Sequence, residues 1–291
     1  MRVIISSGGK FHSFDLAREL LKHGALTRLI TSYPAFQVKK SGVGPAYVRS
    51  VLLKEIVQRS WNYVPSIVRN HYNPQYAIHS IYDYLASGYL VDADIVVVGS
   101  SMGLITMREA RKNGSPVIIL DRGSTHMSHQ DNILRDEYRR FGIPLNYARH
   151  THPAIIKKEL REYDEADYIS VPSQFVKRTF LEYGIPSSKI IQIPYGVDVS
   201  IFQPVEKRDS VFRVIFGGGI TFRKGVHYLV QAWAELKLPN SELLLIGPIS
   251  GEIRPFLNRY SGTFRQIEYL PFSELAKVYS QGSVFALLSI E

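Results

Sequence analysis

The sequence of 291 residues contains no cysteine. Disulfide bonds, thiolate zinc sites and cysteine nucleophiles are therefore excluded, and a cytosolic setting, where disulfides are rare, fits this composition. Long apolar runs are missing as well. Runs such as Ile95–Val98 and Val117–Leu120 resemble buried strands, and none approaches the roughly 18 residues of a membrane span. The first residues lack the apolar core of roughly 7 residues that a signal peptide needs, so we expect no secretory leader.

Acidic residues are too few to balance the basic ones. The chain has 26 Asp and Glu against 35 Lys and Arg, which gives a net charge of +9. A basic protein attracts phosphate groups, whether of nucleic acids, anionic lipids or phosphorylated metabolites. Zinc-finger and RNP sequences are absent, so we expect no nucleic-acid partner. The charge by itself does not choose between lipids and metabolites.

Short β-rich runs alternate repeatedly with longer helical patterns, which indicates βαβ units around a parallel sheet. The first unit has a strand at Arg2–Ser6, a turn at Gly8 and Gly9, and a helix near Phe14–His23. Short apolar runs of this kind are typical of strands covered on both faces. Further strands are predicted in this half of the chain at Leu26–Thr31, Ile95–Gly99, Val117–Asp121, Ala166–Pro172 and Ile190–Pro194.

Residues 198–210 contain proline and charge and lack periodicity, so we interpret them as an interdomain linker. A second βα series follows it. Its predicted elements are strands at Phe212–Phe216, Glu242–Ile246, Arg265–Tyr269 and Val284–Leu288, and helices near Lys224–Leu236, Glu252–Tyr260 and Ser273–Gln281. We therefore expect two domains, residues 1–200 and 201–291. The second stops just after a strand and looks interrupted.

Helical periodicity predicts one amphipathic helix over residues 46–60. The predicted apolar face consists of Val48, Val51, Leu52, Ile56 and Val57, and the polar face of Arg49, Lys54, Glu55 and Arg59. The simpler interpretation is a surface helix that covers the sheet. The alternative is contact with a membrane surface through the basic face, close to Trp61 and Tyr63.

The strongest local signal is VIFGGGITFRKG, residues 214–225. A strand runs into glycines that include Gly218 and Gly219, and the cations Arg223 and Lys224 stand at a helix entrance. Glycine lets a ligand approach the backbone closely, and a helix N-terminus together with Arg and Lys suits a diphosphate. The segment matches neither a P-loop, in which Lys follows the glycine, nor a dinucleotide-binding G-x-G-x-x-G sequence.

The order of these features resembles the retaining family 4 glycosyltransferases of the GT-B fold. The matching segments are residues 8–24, 172–198, 216–233, 243–247 and 269–291, of which the part from Ser173 onward is the most similar. This resemblance implies an α/β fold of GT-B type, with two Rossmann-like domains that face each other across a cleft. Residues 1–200 would then form the acceptor side, and residues 201–291 an incomplete nucleotide-sugar-binding domain.

The resemblance also implies roles for individual residues. Arg223 and Lys224 would neutralise the donor diphosphate beside the glycine loop. Gly8 and Gly9 would face the donor, and the nucleotide base would lie near Tyr269 and Leu270. Glu291 would be the first glutamate of the family's Glu-x7-Glu motif, or its immediate predecessor. No cofactor and no metal are expected, because cations and helix N–H groups would take the place of Mg²⁺.

The segment VIILDRGSTHMSHQ, residues 117–130, ends a predicted strand where the family often has a histidine that reaches the sugar. The candidates are His126 and Asp121, with Arg122 as an acceptor or phosphate contact, while His129 is a weaker candidate. An ordinary loop histidine remains an equal interpretation of His126. His12 could line the cleft or belong to the first helix. A metal site at His150 and His152 is not expected, since no third ligand has suitable spacing.

These observations lead to one main functional hypothesis and two alternatives. The main hypothesis is a cytoplasmic enzyme that transfers sugar from a nucleotide-sugar donor to a glycan or lipid-linked acceptor, with retention of configuration and peripheral contact with the inner membrane face. It would serve polysaccharide biosynthesis. The first alternative is a truncated nucleotide-sugar-binding module without transferase activity. The second is another two-domain α/β enzyme, such as an epimerase or a dehydrogenase.

Overall fold

The computed structural model describes residues 1–69, 71–144, 151–200 and 202–291. The chain forms two compact units. The first consists of Met1–His129 and His150–Tyr195, and the second of Gln130–Arg149 and Gly196–Glu291. The domain boundary predicted after residue 200 stays a prediction. The structure adds that residues 130–144 group with the second unit, although they lie between two parts of the first in sequence.

In the described part of the first unit, parallel strands form a seven-stranded sheet with the order β3-β2-β1-β4-β5-β6-β7. The strands are β1 (Val3–Ser7), β2 (Leu26–Thr31), β3 (Val48–Ser50), β4 (Ile95–Gly99), β5 (Val117–Asp121), β6 (Tyr168–Val171) and β7 (Ile190–Gln192). The chain moves outward from β1 through β2 to β3 and then crosses to β4 on the other side of β1. Ligands in such sheets bind at this switch point, outside the carboxyl ends of the strands.

Helices connect these strands. They are α1 (Ser13–Lys22), α2 (Ala35–Lys39), α3 (Leu52–Ser60), α4 (Ser66–Arg69), α5 (Gln75–Ser87), α6 (Leu104–Lys112), α7 (Met127–Arg140), α8 (Pro153–Glu165) and α9 (Gln174–Glu182). Short 3-10 turns lie at Pro45–Tyr47, Trp61–Tyr63 and Ser187–Lys189. All five residues of β1 are buried, as expected for a central strand covered on both faces.

The second unit repeats the architecture on a smaller scale. Its parallel strands are β8 (Phe212–Gly217), β9 (Ser241–Ile246), β10 (Arg265–Ile267) and β11 (Val284–Phe285), in the order β10-β9-β8-β11. Its further helices are α10 (Val226–Leu236), α11 (Arg254–Leu257) and α12 (Phe272–Ser280), and a 3-10 turn lies at Asn258–Tyr260. The switch point falls between β8 and β11. The glycine loop after β8 and the last residues after β11 therefore meet at one edge.

The single helix predicted over residues 46–60 is wrong in its first part and in its orientation. Residues 48–50 form β3, whose side chain Val48 is buried beside β2, and only Leu52–Ser60 are helical. Leu52 and Ile56 are exposed, whereas Lys54 is buried. The apolar spacing read as one helical face belongs to a strand followed by a helix, and periodicity over so short a run does not distinguish the two.

Candidate functional site

Glycines shape the carboxyl edge of the second sheet. Gly218, just after β8, has a φ of 135°, and Gly247, just after β9, has a φ of 140°. Both values lie in the region that side-chain-bearing residues rarely adopt. A Cβ at Gly247 would overlap with the carbonyl oxygen of Gly218. The backbones of the two loops therefore lie in direct contact. Gly219 is the next residue of the loop that leads to Arg223 and Lys224.

Arg223 and Lys224 lie beside the last residues of the chain. The Arg223 Nη1 is 3.0 Å from Glu291 Oε2, and the amide of Ile290 donates to the carbonyl of Arg223 at 2.9 Å. Gly225 follows with a φ of 66°, and a Cβ there would overlap with the carbonyl oxygen of Leu288. The sequence prediction that groups Arg223, Lys224 and Glu291 thus corresponds to residues that the fold brings together.

The electrostatics of this edge favour an anionic ligand. Burial lowers the pKa of Lys224, and the adjacent Arg223 guanidinium lowers it further. The Glu291 side chain is fully buried against Arg223. Arg223 thus pairs with a carboxylate while Lys224 lies next to it in a half-buried setting, and a diphosphate would favour the charged form of Lys224. The ligand roles of these residues stay predictions.

Tyr269 and Leu270 follow β10 on the same side of the second sheet. The Tyr269 ring is 80% exposed, which leaves it open to stacking against a base. Leu270 is half-buried and packs on the small cluster of Ile215, Leu244 and Ile246. Their assignment to the nucleotide base stays a prediction.

In the first unit, the loop after β1 is held firmly. The Lys54 ammonium and the Ser32 hydroxyl both donate to the carbonyl oxygen of Gly8 at 2.8 Å. A Cβ at Gly8 would overlap with the sulfur of Met102, and one at Gly9 with the ring of Phe11. A larger residue at Gly8 would displace the Met102 side chain, and one at Gly9 would displace the exposed ring of Phe11.

His12 and Asp121 form an ion pair at the carboxyl edge of this sheet. His12 Nε2 lies 2.9 Å from Asp121 Oδ2, and both side chains are partly exposed. The hydrogen bond to Asp121 raises the pKa of His12. The Tyr195 ring lies 4.5 Å from the His12 ring, and burial raises its pKa to about 12. The sequence signal for His12 was its position four residues after the Gly8–Gly9 turn begins.

The side chains of His126 and Arg122, which follow the same strand, are buried. His126 is 3% exposed and stacks on Tyr183 with ring centres 4.4 Å apart, and burial lowers its pKa to about 4. Its Nδ1 accepts from the amide of Ser128 in the first turn of α7. Arg122 is 8% exposed and pairs with Glu159 at 3.2 Å. Both side chains contact other buried groups of the first unit, and their ligand roles stay predictions.

The turn between β4 and α6 holds polar residues that the sequence reading missed. Ser101 has a φ of 68°, and its hydroxyl lies 2.9 Å from His79 Nδ1. The Glu162 carboxylate accepts from the amides of Ser101, Gly103 and Leu104. Because a side chain already occupies this helix N-terminus, the turn is not open to a ligand anion. The signal in the sequence was Gly99-Ser-Ser-Met-Gly103 between a strand and a helix.

Metal-ligating residues do not gather at either edge in the part of the chain that the structure describes. Among the described residues, no three His, Asp or Glu side chains could hold a metal ion together. The sequence has one Asp-x-Asp, at Asp92 and Asp94, but it precedes β4 at the amino edge of the sheet. There both carboxylates pair with Arg2. His152 caps α8 through its Nδ1, and His150 lies outside the described residues. The expectation of no metal stays a prediction.

Comparison with solved structures shows the fold. A sucrose-phosphate synthase from Thermosynechococcus elongatus is 14% identical with a TM-score of 0.66, and the match covers 100% of this chain and 76% of that one. A glycosyltransferase from Rickettsia africae is 17% identical with a TM-score of 0.61, with coverage of 100% and 73%. HepE of Anabaena, solved with UDP-glucose, is 12% identical with a TM-score of 0.59, with coverage of 99% and 74%.

The predicted fold class is confirmed by these neighbours: the chain has the GT-B type of fold, with two Rossmann-like α/β units. Coverage of about three quarters of each neighbour agrees with the predicted incomplete second domain. No curated protein sequence matches the chain. None of the described helices has both the length and the apolar character that crossing a bilayer requires. The family model described as Glycosyltransferase Family 4 matches residues 6–201, and the chain therefore belongs to that family.

Proposed function

We propose that this chain transfers a sugar from a nucleotide-sugar donor to a glycan or lipid-linked acceptor, with retention of anomeric configuration. The observation that carries the proposal is the Arg223–Lys224 pair at the switch point of the second sheet, in contact with Glu291. Similar structures were solved with UDP-glucose and with UDP-2-fluoro glucose, which supports a nucleotide-sugar as donor. The setting that we propose is polysaccharide biosynthesis at the cytoplasmic face of a membrane.

The chemistry follows from where charge develops. When the bond between the sugar and the diphosphate breaks, negative charge grows on the leaving phosphate oxygen. Preorganised cations stabilise that charge more strongly than the charge of the intact donor, and this difference lowers the barrier. Arg223 and Lys224 would supply the positive charge, and Glu291 would hold the guanidinium in position. The leaving phosphate would take the proton of the acceptor hydroxyl on the face where the bond breaks.

The first unit carries a polar pair of its own at the carboxyl edge of its sheet. Asp121 accepts from His12, and its remaining oxygen lone pairs can accept from a sugar hydroxyl. The contact with Asp121 raises the pKa of His12, and the protonated ring, with Nε2 bonded to Asp121, can donate from Nδ1 to a hydroxyl or a phosphate. We propose that this pair contacts the sugar, which is the role that the sequence suggested for His126. The pair is partly exposed, whereas His126 is buried.

Replacing Arg223 tests the assignment of the diphosphate site. Arg223→Ala removes one charge-assisted contact, so we expect kcat/KM to fall roughly 10- to 100-fold. The assay is release of nucleoside diphosphate from UDP-, GDP- and ADP-sugars, together with calorimetric titration of the same nucleotides. Arg259→Ala, which removes a cation that lies over the Phe256 ring, serves as the control and should leave turnover unchanged.

Two outcomes would redirect the proposal. If Arg223→Ala kept full activity, the assignment of the diphosphate to this edge of the second sheet would be excluded. Nucleotide binding by the unmodified chain without product from any donor would instead identify a nucleotide-sugar-binding module that lacks transferase activity.

A further inference from the structure

Phe11, in the loop between β1 and α1, has a backbone conformation that residues with a side chain rarely adopt. Its φ is 30°, which lies in the left-handed region where a Cβ is strained and glycine is the usual residue. Its ring is 76% exposed, so burial of apolar area contributes little to stability here. Neither the local backbone nor the core therefore accounts for a phenylalanine at this position. Backbone strain of this kind is concentrated at ligand sites.

The Phe11 ring lies beside Gly9 of the same loop. A Cβ at Gly9 would come within 2.4 Å of the ring carbon Cε2, so the missing side chain of Gly9 leaves the space in which the ring lies. Two hydroxyls hold the loop: that of Ser7 donates to the carbonyl oxygen of Gly9 at 3.0 Å, and that of Ser13 donates to the carbonyl oxygen of Lys10 at 2.7 Å. The loop is thus preorganised, which reduces the entropic cost of binding a ligand.

The same loop continues into the polar pair of the first unit. His12, the next residue, contacts Asp121 at the carboxyl edge of the sheet. The Tyr195 ring lies 4.5 Å from the His12 ring and is half exposed. This edge therefore presents accessible aromatic rings together with side chains that accept and donate hydrogen bonds. A pyranose ring has the same division, because its C–H groups form apolar faces and its hydroxyls project from the rim.

We propose that Phe11 is the stacking platform for the acceptor, and that the acceptor group it binds is a pyranose ring. One face of the sugar lies on the Phe11 ring, and its hydroxyls bond to His12 and Asp121. An acyl chain would leave these polar groups without partners, and the Asp121 carboxylate would repel a phosphate. The proposal deepens the proposed function, on which it rests: the two sugars meet where the new bond forms, so a pair that contacts the transferred sugar also lies beside the acceptor.

Saturation-transfer NMR tests the site without a donor and without turnover. Methyl gluco-, galacto- and mannopyranosides are added in excess to the full chain, and the saturation that each sugar proton receives is measured. We expect at least one glycoside to receive saturation mainly at the C–H protons of one ring face, because stacking brings that face against the aromatic protons. Absence of saturation in all three glycosides overturns the proposal.

Three variants of Phe11 separate the aromatic face from apolar character and from folding. Phe11→Ala removes the ring and keeps the Cβ, so thermal unfolding should hardly change, while affinity for the glycoside should fall roughly 10-fold, the size of one lost aromatic contact. Phe11→Tyr keeps an aromatic face and should retain the affinity, whereas the apolar Phe11→Leu should lose most of it. Unchanged affinity in Phe11→Ala or in Phe11→Leu overturns the stacking role.

Phe36 on α2 provides a matched control, since its ring is 65% exposed. Phe36→Ala should bind the glycoside like the unmodified chain, and equal losses in Phe36→Ala and Phe11→Ala would show non-specific attraction to exposed rings and overturn the assignment. Arg223→Ala should keep the glycoside saturation, so failure of the sugar site is distinguishable from failure of the proposed transfer. Loss of UDP, GDP and ADP binding in Phe11→Ala, with glycoside saturation retained, would assign the ring to the donor instead and overturn the proposal.

Discussion

The pKa of His12 depends chiefly on its contact with Asp121. His12 holds its proton more tightly in the folded protein because Asp121 accepts its hydrogen bond. The contribution of this pair to the free energy of unfolding is therefore fully present below the ordinary histidine pKa of about 6.5. It is lost as pH rises through the raised pKa. The protonated form is also the one that can donate to a sugar hydroxyl or a phosphate.

Replacing Asp121 tests this pair. We expect Asp121→Asn to lower the pKa of His12 and to flatten the dependence of stability on pH around the histidine range. The measurement is an NMR titration of the His12 ring, together with urea unfolding at several pH values. Asp92→Asn, which changes an exposed carboxylate at the other edge of the sheet, should leave the His12 titration as it was. An unshifted His12 titration in Asp121→Asn would show that the contact is not made in solution.

Residue identity alone predicted only part of the candidate site. Arg223, Lys224 and the glycines were candidates because a strand, a flexible turn and cations in that order suit a diphosphate. Taken alone, the two cations fit a solvated helix start equally well, and only the order of the other motifs favoured a ligand site. His126 was as plausible as His12 in sequence, since both follow strands. Their difference is burial, 3% exposed for His126 against a partly exposed ring for His12. Burial depends on which side chains from distant segments, such as Tyr183, pack on the loop.

Individual helices depend on groups that other elements supply. The first amides of α6 are accepted by Glu162 of α8 and by Asp83 of α5. The residue before α6 is Gly103, which has no side chain to cap it. A helix N-terminus needs acceptors for its first N–H groups, and here two carboxylates distant in sequence provide them. This arrangement fixes α6, and with it the turn that follows β4.

Removing this cap should destabilise the first unit strongly. Glu162→Ala leaves the buried amides of Ser101, Gly103 and Leu104 without their acceptor, so we expect a loss of about 2–4 kcal/mol in the free energy of unfolding. Urea denaturation followed by circular dichroism measures the loss. Glu165→Ala, on the same helix, removes a partly exposed pair with Arg108 and should cost less than about 1 kcal/mol. Equal effects of the two variants would contradict a capping role for Glu162.

At the scale of the whole molecule, each compact unit is built from two segments that are separate in sequence. Most of α7 groups with the second unit, where Leu134 and Tyr138 join the core of β8 and α10. Glu137 pairs with His227 at 2.7 Å, and both are buried. The core of the second unit therefore depends on α7, although α7 lies some fifty residues before the first unit ends at Tyr195.

A single substitution on α7 tests this dependence. Tyr138 is fully buried, so Tyr138→Ala should destabilise the second unit by about 3–5 kcal/mol, as for other large aromatic truncations. The chain has two tryptophans, and in a Trp61→Phe background the fluorescence of Trp233 reports on the second unit during urea unfolding. Tyr84→Ala, which removes a ring that is 68% exposed, should leave the Trp233 transition in place. If Tyr138→Ala leaves the urea unfolding transition of Trp233 unchanged, α7 does not belong to that core.

The sequence by itself determined the alternation of strands and helices, the glycine turns and the cationic helix entrance. These features are local, since they depend on side-chain periodicity and backbone freedom over a few residues. The tertiary structure decided that residues 48–50 form a strand, that α3 turns Lys54 inward, that His126 is buried and that α7 completes the second core. Each of these depends on the free energy of burying one segment against another that is distant in sequence, and no local pattern encodes that energy.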